Sequence, residues 1–393
     1  MILAAVGPPP NYQTIVEFEG EFESAGAPIA GVTLGPDGNL YGSLTRGPIY
    51  EVILGTHDFV AIAQQPTLAK VTFDSSGNLY GTSGNSLIPV GMGEYGLGQI
   101  FRVDAGSTTL ATFASFDGNN GASPFLGGVI FDTAGNLYGA TNYGGANNLG
   151  AVYKVAAGSN TITLLASFDG SNGAGSSSLV MDSAGNLFGT TSTVGPNNSG
   201  TLFEIVAGTH DIVTLATFGG TNGVQGTTLA LDDQGNLYGT TLSGGVNGGG
   251  TIFKFTPDHT FTTLFSFSGT NGNEPFGGLL VDKAGNIFGT TTQGGLYNNG
   301  TLFRLSIDNT LTTLVNFNRE FGASPFGDLI ADKSGNIFGT TYEGGASDNG
   351  TVFELTNTGF VVPETSSILL SAMGLMAFAV AILKRVLGAT LAE

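Results

Sequence analysis

Short runs in which apolar side chains alternate with Thr or Ser recur along the chain, as at Phe261 to Phe267 and Leu311 to Phe317. Between them stand a compact apolar run, Gly277 to Val281, and two aromatic and β-branched runs, Asn286 to Thr291 and Thr301 to Leu305. A two-residue period sends successive side chains to opposite faces of a strand, and the Gly, Asn and Asp clusters between the runs supply turns. One such window therefore predicts four strands of about five to seven residues each. No stretch between residues 12 and 362 keeps a 3.6-residue period over a helical length, so no helix is expected there.

The window repeats. The string Asp, two residues, Gly-Asn, Leu or Ile, Tyr or Phe, Gly occurs with Gly-Asn at Gly77, Gly135, Gly185, Gly235, Gly285 and Gly335. A shortened copy stands at Gly38, where Gly35 replaces the aspartate. From Gly135 onward the spacing is 50 residues, while the first two intervals, 39 and 58, mark one short unit and one carrying an insertion at Ser83 to Gly98. A second string, Gly-Thr-aliphatic-aromatic, follows each copy at Gly200, Gly250, Gly300 and Gly350, with variants at Gly47, Gly98 and Gly150. The alternating run ends each unit, and one copy, Thr14 to Phe18, precedes the first repeat.

Seven units of four strands predict an all-β protein, a seven-bladed β-propeller of four-stranded blades. An open β-solenoid has no use for a stray fourth strand at the start. In a closed ring that copy pairs with the last repeat, whose own strands end at Leu355 with only a remnant at Phe360 to Val362. The ring is then closed by the N-terminal strand, and a free sheet edge disappears. The turn string resembles propeller repeats of the NHL type and, more closely, the GloVer tandem repeat of bacterial proteins with varied C-terminal anchors. The resemblance runs from Thr14 to Leu355; it implies the propeller fold and carries no activity with it.

Composition narrows the function. Glycine supplies 65 of 393 residues, which excludes a mainly helical chain, and the absence of a three-residue glycine period excludes collagen. With 41% hydrophobic residues the chain has enough to bury, so disorder is excluded too. Eleven basic residues against 30 acidic ones leave a net charge of −19, which repels phosphate backbones and argues against nucleic acid as a partner. Cysteine is absent, removing disulfides, thiolate metal sites and cysteine nucleophiles.

The repeated aspartates Asp74, Asp132, Asp182, Asp232, Asp282 and Asp332 suit carboxylates that accept backbone N–H groups within their own turns, and they stand on separate blades, too far apart to share a metal. The repeated aromatics, such as Tyr138 and Phe303, suit blade-to-blade packing. The expected innermost strands, Ala30 to Leu34, Leu68 to Phe73, Gly127 to Phe131, Ser178 to Met181, Thr228 to Leu231, Gly277 to Val281 and Gly327 to Ala331, hold only Lys70 and Asp328 as ionisable residues. His57, His210 and His259 share one turn position on separate blades and do not converge. No catalytic residue, metal site or cofactor is expected. On the face that carries the loops between strands two and three, Tyr143, Asn148, Asn247, Tyr297, Asn298 and Tyr342 form a candidate ligand face, since amides beside exposed aromatics suit carbohydrate hydroxyls.

The ends carry a different signal. Residues 1–11 read as a leader remnant or disordered N-terminus without the basic region of a signal peptide, which suggests a true start further upstream; residues 12–358 form the propeller and 359–367 a linker. Ile368 to Leu383 is free of charge and is followed by Lys384 and Arg385, so residues 368–385 read as a transmembrane-type helix with a basic stop, ahead of a tail at 386–393. Val362, Pro363 and Glu364 ahead of that helix resemble the PEP-CTERM sorting signal of Gram-negative bacteria, although Thr365 stands where that signal has a second proline. That resemblance implies an exosortase-type sorting enzyme and the membrane as partners, with export to the cell surface. The expected function is a non-catalytic envelope or secreted propeller acting in surface interaction or association with exopolysaccharide. The alternatives are a calcium-dependent hydrolase or lyase of the propeller-lactonase type, with ligands in Ser83 to Gly98, and a scaffold for surface proteins.

Overall fold

In the computed structural model, which describes residues 9, 11–18, 26–45, 47–64, 70–84, 97–124 and 128–363, the strands form seven four-stranded antiparallel sheets. Each sheet is one blade, numbered here from the inner strand Thr33–Leu34 of blade one to Ile330–Ala331 of blade seven. Blade six shows the pattern: Leu280–Val281 innermost, then Ile287–Thr291, Thr301–Leu305 and, outermost, Leu311–Asn316. Among the described residues the one helical element is a 3-10 turn at Gly220–Asn222, and no helix there is long and apolar enough to cross a membrane. The expected segment at 368–385 and the tail at 386–393 lie outside the described residues.

Blade seven is completed by the N-terminal strand. Tyr12–Glu17 pairs with Thr351–Leu355, with Tyr12 opposite Leu355 and Glu17 opposite Thr351. The expected remnant at Phe360 to Val362 forms no strand. Those residues cross the face of the Asp turns instead: Phe360 packs on Phe288 with ring centroids 5.4 Å apart, and the Val361 carbonyl accepts the Lys283 N–H at 2.9 Å.

The repeated strings do two packing jobs. The aromatic of strand three lies flat against the glycine of strand two, so a Cβ on Gly289 would sit 2.7 Å from Cζ of Phe303. The same ring meets the aromatic that ends the outer strand of the preceding blade: Phe267 on Phe303 at 5.2 Å, Phe317 on Phe353 at 5.4 Å and, across the closure, Phe18 on Tyr50 at 5.4 Å. These rings are buried and give the blades their apolar seams. The threonines ending strand two face those starting strand three, as in Thr291 and Thr301 with hydroxyls 2.9 Å apart, and Thr291 Oγ1 also accepts the Thr301 N–H at 3.1 Å.

On one face, the Asp–Asn pairs of blades two, three and four tie the turn after the inner strand to the hairpin between strands three and four. Asp132 Oδ1 accepts the N–H groups of Ala134 at 3.0 Å and Asn136 at 2.8 Å, Oδ2 accepts the Asn136 amide at 2.7 Å, and Asn136 Oδ1 accepts the Ala157 N–H at 3.0 Å. Asp74, Asp182, Asp232, Asp282 and Asp332 make the same bonds to the asparagine four residues on. In blade one, where Gly35 stands in place of the aspartate, Asp37 takes over, accepting from Asn39 and from the Tyr41 hydroxyl at 2.7 Å. Burial alone would raise the Asp132 carboxyl, but the Asn136, Tyr138 and Ala134 donors outweigh it and hold the group below its ordinary range. A lowered folded-state pKa contributes stability that is present above the unfolded value, about 3.9, and is lost as pH falls through the folded one. Asp132→Ala is therefore expected to unfold about 1–2 kcal/mol more easily than native at pH 7, with the gap closing below pH 4, read by urea titration at several pH values.

The inner strands differ from expectation. Five pair over two residues only (Thr33–Leu34, Thr72–Phe73, Ile130–Phe131, Leu280–Val281 and Ile330–Ala331), whereas Ala174–Met181 and Val224–Leu231 extend over eight. In blades three, six and seven the cause is a left-handed residue followed by proline. Ser123, Glu274 and Ser324 have φ of 53°, 56° and 53°, and each precedes a proline, which has no N–H for the ladder. Pairing resumes on the far side of that step at single bridges such as Asn273–Gln293 and Ala323–Glu343. Blades four and five have Gly175-Ser176 and Gln225-Gly226 at the same place, keep their N–H groups, and pair through a register shift instead.

Candidate functional site

The step in the inner strands aims side chains at the centre of the ring, as bulges do. The residue after each proline, Ile29, Phe276 or Phe326, reaches the channel mouth on the face opposite the Asp turns. Phe276 and Phe326 meet edge to face at 5.4 Å, and Phe326 meets Tyr342 at 5.7 Å, forming an aromatic wall across blades six and seven.

Two residues further along each inner segment lies one equivalent position per blade, and its chemistry differs among the seven units: Gly31, Lys70, Gly128, Ser178, Thr228, Gly278 and Asp328. Lys70 Nζ and Asp328 Oδ2 are 3.1 Å apart, joining blades two and seven in front of Gly31. Asp328 Oδ1 also accepts the Gly278 N–H of blade six at 2.7 Å. Glycine is required on both sides of the aspartate, since a Cβ on Gly31 or Gly278 would lie 2.7 Å from Asp328 atoms. Sequence reasoning found both ionisable residues but not their pairing.

The wall and the ion pair enclose a cavity of about 270 Å³. Ile29, Leu242, Phe276 and Phe326 supply apolar surface, and Asn142, Gln225 and Thr228 supply polar groups. The Thr228 hydroxyl is buried without a hydrogen-bond partner. The side-chain amides of Asn142 and Gln225 also have none among the described residues, and Gln225 holds a left-handed φ of 61°. A buried hydroxyl without a partner is rare in a settled interior, and the half-buried amides beside it can bond a ligand as well. Phe276 and Phe326 escaped the sequence reading; the signal was the triplet Ser-Pro-Phe or Glu-Pro-Phe before the inner strand.

Of the six residues expected on this face, Tyr342 alone touches the cavity wall. Tyr143 is 59% exposed and stands apart from it. Asn148 and Asn298 sit at left-handed φ and accept the Gly144 and Gly294 N–H groups of their own loops at 2.9 and 3.2 Å. Asn247 donates to the Ser266 carbonyl at 3.0 Å, and the Tyr297 hydroxyl is buried without a partner. These amides hold loops in place. His57, His210 and His259 all occupy left-handed turn positions on separate blades. Val362 and Pro363 follow the docked Phe360 and Val361; Glu364, Lys384, Arg385 and most of the Ser83 to Gly98 insertion lie outside the described residues. Among the described residues no three His, Cys, Asp or Glu side chains gather as metal ligands do.

A family model described as the Gloeobacter/Verrucomicrobia repeat matches residues 50–231 and 225–367, so this propeller belongs to that repeat family. No curated protein sequence matches the chain. Among solved structures, the extracellular domain of BT4673 from B. thetaiotaomicron is similar over 87% of this chain and 39% of its own, at 11% identity and a TM-score of 0.59. The GH74 enzyme of Niastella koreensis is similar over 89% of this chain and 55% of its own, at 16% identity and a TM-score of 0.61. The WD40 β-propeller domain of Doa1 is similar over 90% of this chain and 99% of its own, at 13% identity and a TM-score of 0.58. At these identities the likeness shows the propeller fold, and the chain spans well under two thirds of the first two.

Proposed function

We propose that the chain is a non-catalytic propeller, displayed at the cell envelope or secreted, that associates with exopolysaccharide through the face bearing the axial cavity. Its C-terminal segment sorts or tethers it, with an exosortase-type enzyme acting at the Val362-Pro363-Glu364 motif. The observation that carries this reading is the route of the chain out of the ring. Residues 356–363 are pinned to the face of the Asp turns, with the Thr358 hydroxyl on the Gly335 carbonyl at 2.9 Å, Phe360 on Phe288 and Val361 on Lys283. A tether that continues into the apolar run Ile368 to Leu383 leaves from that side, and the cavity opens away from it. The B. thetaiotaomicron propeller of the same fold is an extracellular domain, in keeping with display outside the cell.

The axial residues support a binding role over a catalytic one. Lys70 and Asp328 satisfy each other and the Gly278 N–H, which leaves neither poised as a free general base. Cell fractionation tests the reading: the full chain is expected with the envelope or in the medium, and a chain ending at Pro363 is expected to lose its envelope-bound pool. Full-length protein found soluble in the cytosol would sink it.

A further inference from the structure

We infer that the axial cavity is a site for a single neutral sugar unit, the exposed end of a glycan chain; this rests on the glycan-associating reading above and names the site and the ligand class. Three observations carry it.

The volume, about 270 Å³, lies just under the range of drug-sized sites, about 300–1,000 Å³, and matches one ring better than several. Lys70 and Asp328 line the same cavity as Phe326, and their ion pair joins blades two and seven.

The lining suits a pyranose. Such a ring has C–H faces that rest on aromatic surface and an edge of hydroxyls that donate and accept. Phe276 and Phe326 offer the first. The unpartnered Thr228 hydroxyl and the amides of Gln225 and Asn142, each with donor and acceptor atoms, offer the second.

The electrostatics select a neutral ring over an acidic one. Among the described residues the charges at the cavity are Lys70 and Asp328, which cancel, so no net positive charge awaits a carboxylate. The chain as a whole carries −19, which opposes the approach of a polyanion.

The test uses the full chain, purified in mild detergent, with methyl glucoside, galactoside and mannoside, the matching methyl uronosides, and purified exopolysaccharide, read by saturation-transfer NMR and calorimetry. One neutral hexoside is expected to bind more tightly than its uronoside. Its affinity should fall about tenfold or more in Phe326→Ala and in the near-isosteric Thr228→Val, whose melting temperature stays close to native, and should not change in Tyr143→Ala. Tighter binding of the uronoside overturns the ligand class. Binding unaffected by Phe326→Ala and Thr228→Val, or exopolysaccharide binding with no response to any hexoside, overturns the site and leaves association with the polymer standing. No response to hexosides, uronosides or polymer sinks both readings.

Discussion

Replacing Tyr12 by alanine is expected to lower stability by about 3–5 kcal/mol, the usual cost of truncating a buried aromatic. The ring of Tyr12 lies 5.6 Å from Phe353, 5.1 Å from Phe321 and 6.0 Å from Phe317, and its hydroxyl donates to the Phe321 carbonyl at 2.8 Å. It thus anchors the strand that completes blade seven, and its loss opens the seam between blades six and seven as well as the closure. Tyr12→Phe keeps the packing and removes one buried hydrogen bond, so it should cost only about 1 kcal/mol. Urea unfolding of both variants separates the effects; an alanine variant within 1 kcal/mol of native would mean that the strand adds an edge without closing a ring.

The second large effect is at Gly300, where alanine is expected to cost about 4 kcal/mol or more and to leave little folded protein. Gly300 has φ of 94°, and a Cβ there would press on the Thr291 carbonyl oxygen and lie 2.8 Å from Cδ of Pro325. Both neighbours are fixed: Thr291 is locked in the hydroxyl pair with Thr301, and proline cannot move aside. Backbone strain and a clash with backbone then add. Gly106→Ala is the control, because its φ of 73° is also left-handed but nothing lies within 4 Å of its Cβ. It should cost about 1 kcal/mol, and equal losses at the two sites would show that conformation alone sets the requirement at Gly300.

Much of the ring was legible because each unit repeats its own turn chemistry. The Asp–Asn pairs, the Phe-Gly-Thr strings and the copy ahead of the first repeat sufficed for seven blades and their closure. Local substitutions were harder to read. Asp37 does the work of the missing aspartate at Gly35 from a position two residues later, which needs the turn's geometry rather than its spacing. The inner strands were expected to run four to six residues, and the left-handed residue before Pro275 or Pro325 cuts those of blades six and seven to two. Least visible was the cavity. Lys70 and Asp328 are 258 residues apart, and only the closed ring sets them side by side. Asn148 and Asn298 commit their amide oxygens to their own loops, a use that their spacing along the chain does not reveal.

The absence of cysteine makes the central claim directly measurable, because a single introduced thiol is the only one in the chain. Val246 lies 74% exposed in the loop between strands two and three of blade five, on the face of the cavity mouth. In cells producing the full chain with Val246→Cys, a membrane-impermeant maleimide is expected to label the protein on intact cells, to the same extent as after lysis. Labelling that appears only once the cells are broken would contradict display of this face to the outside.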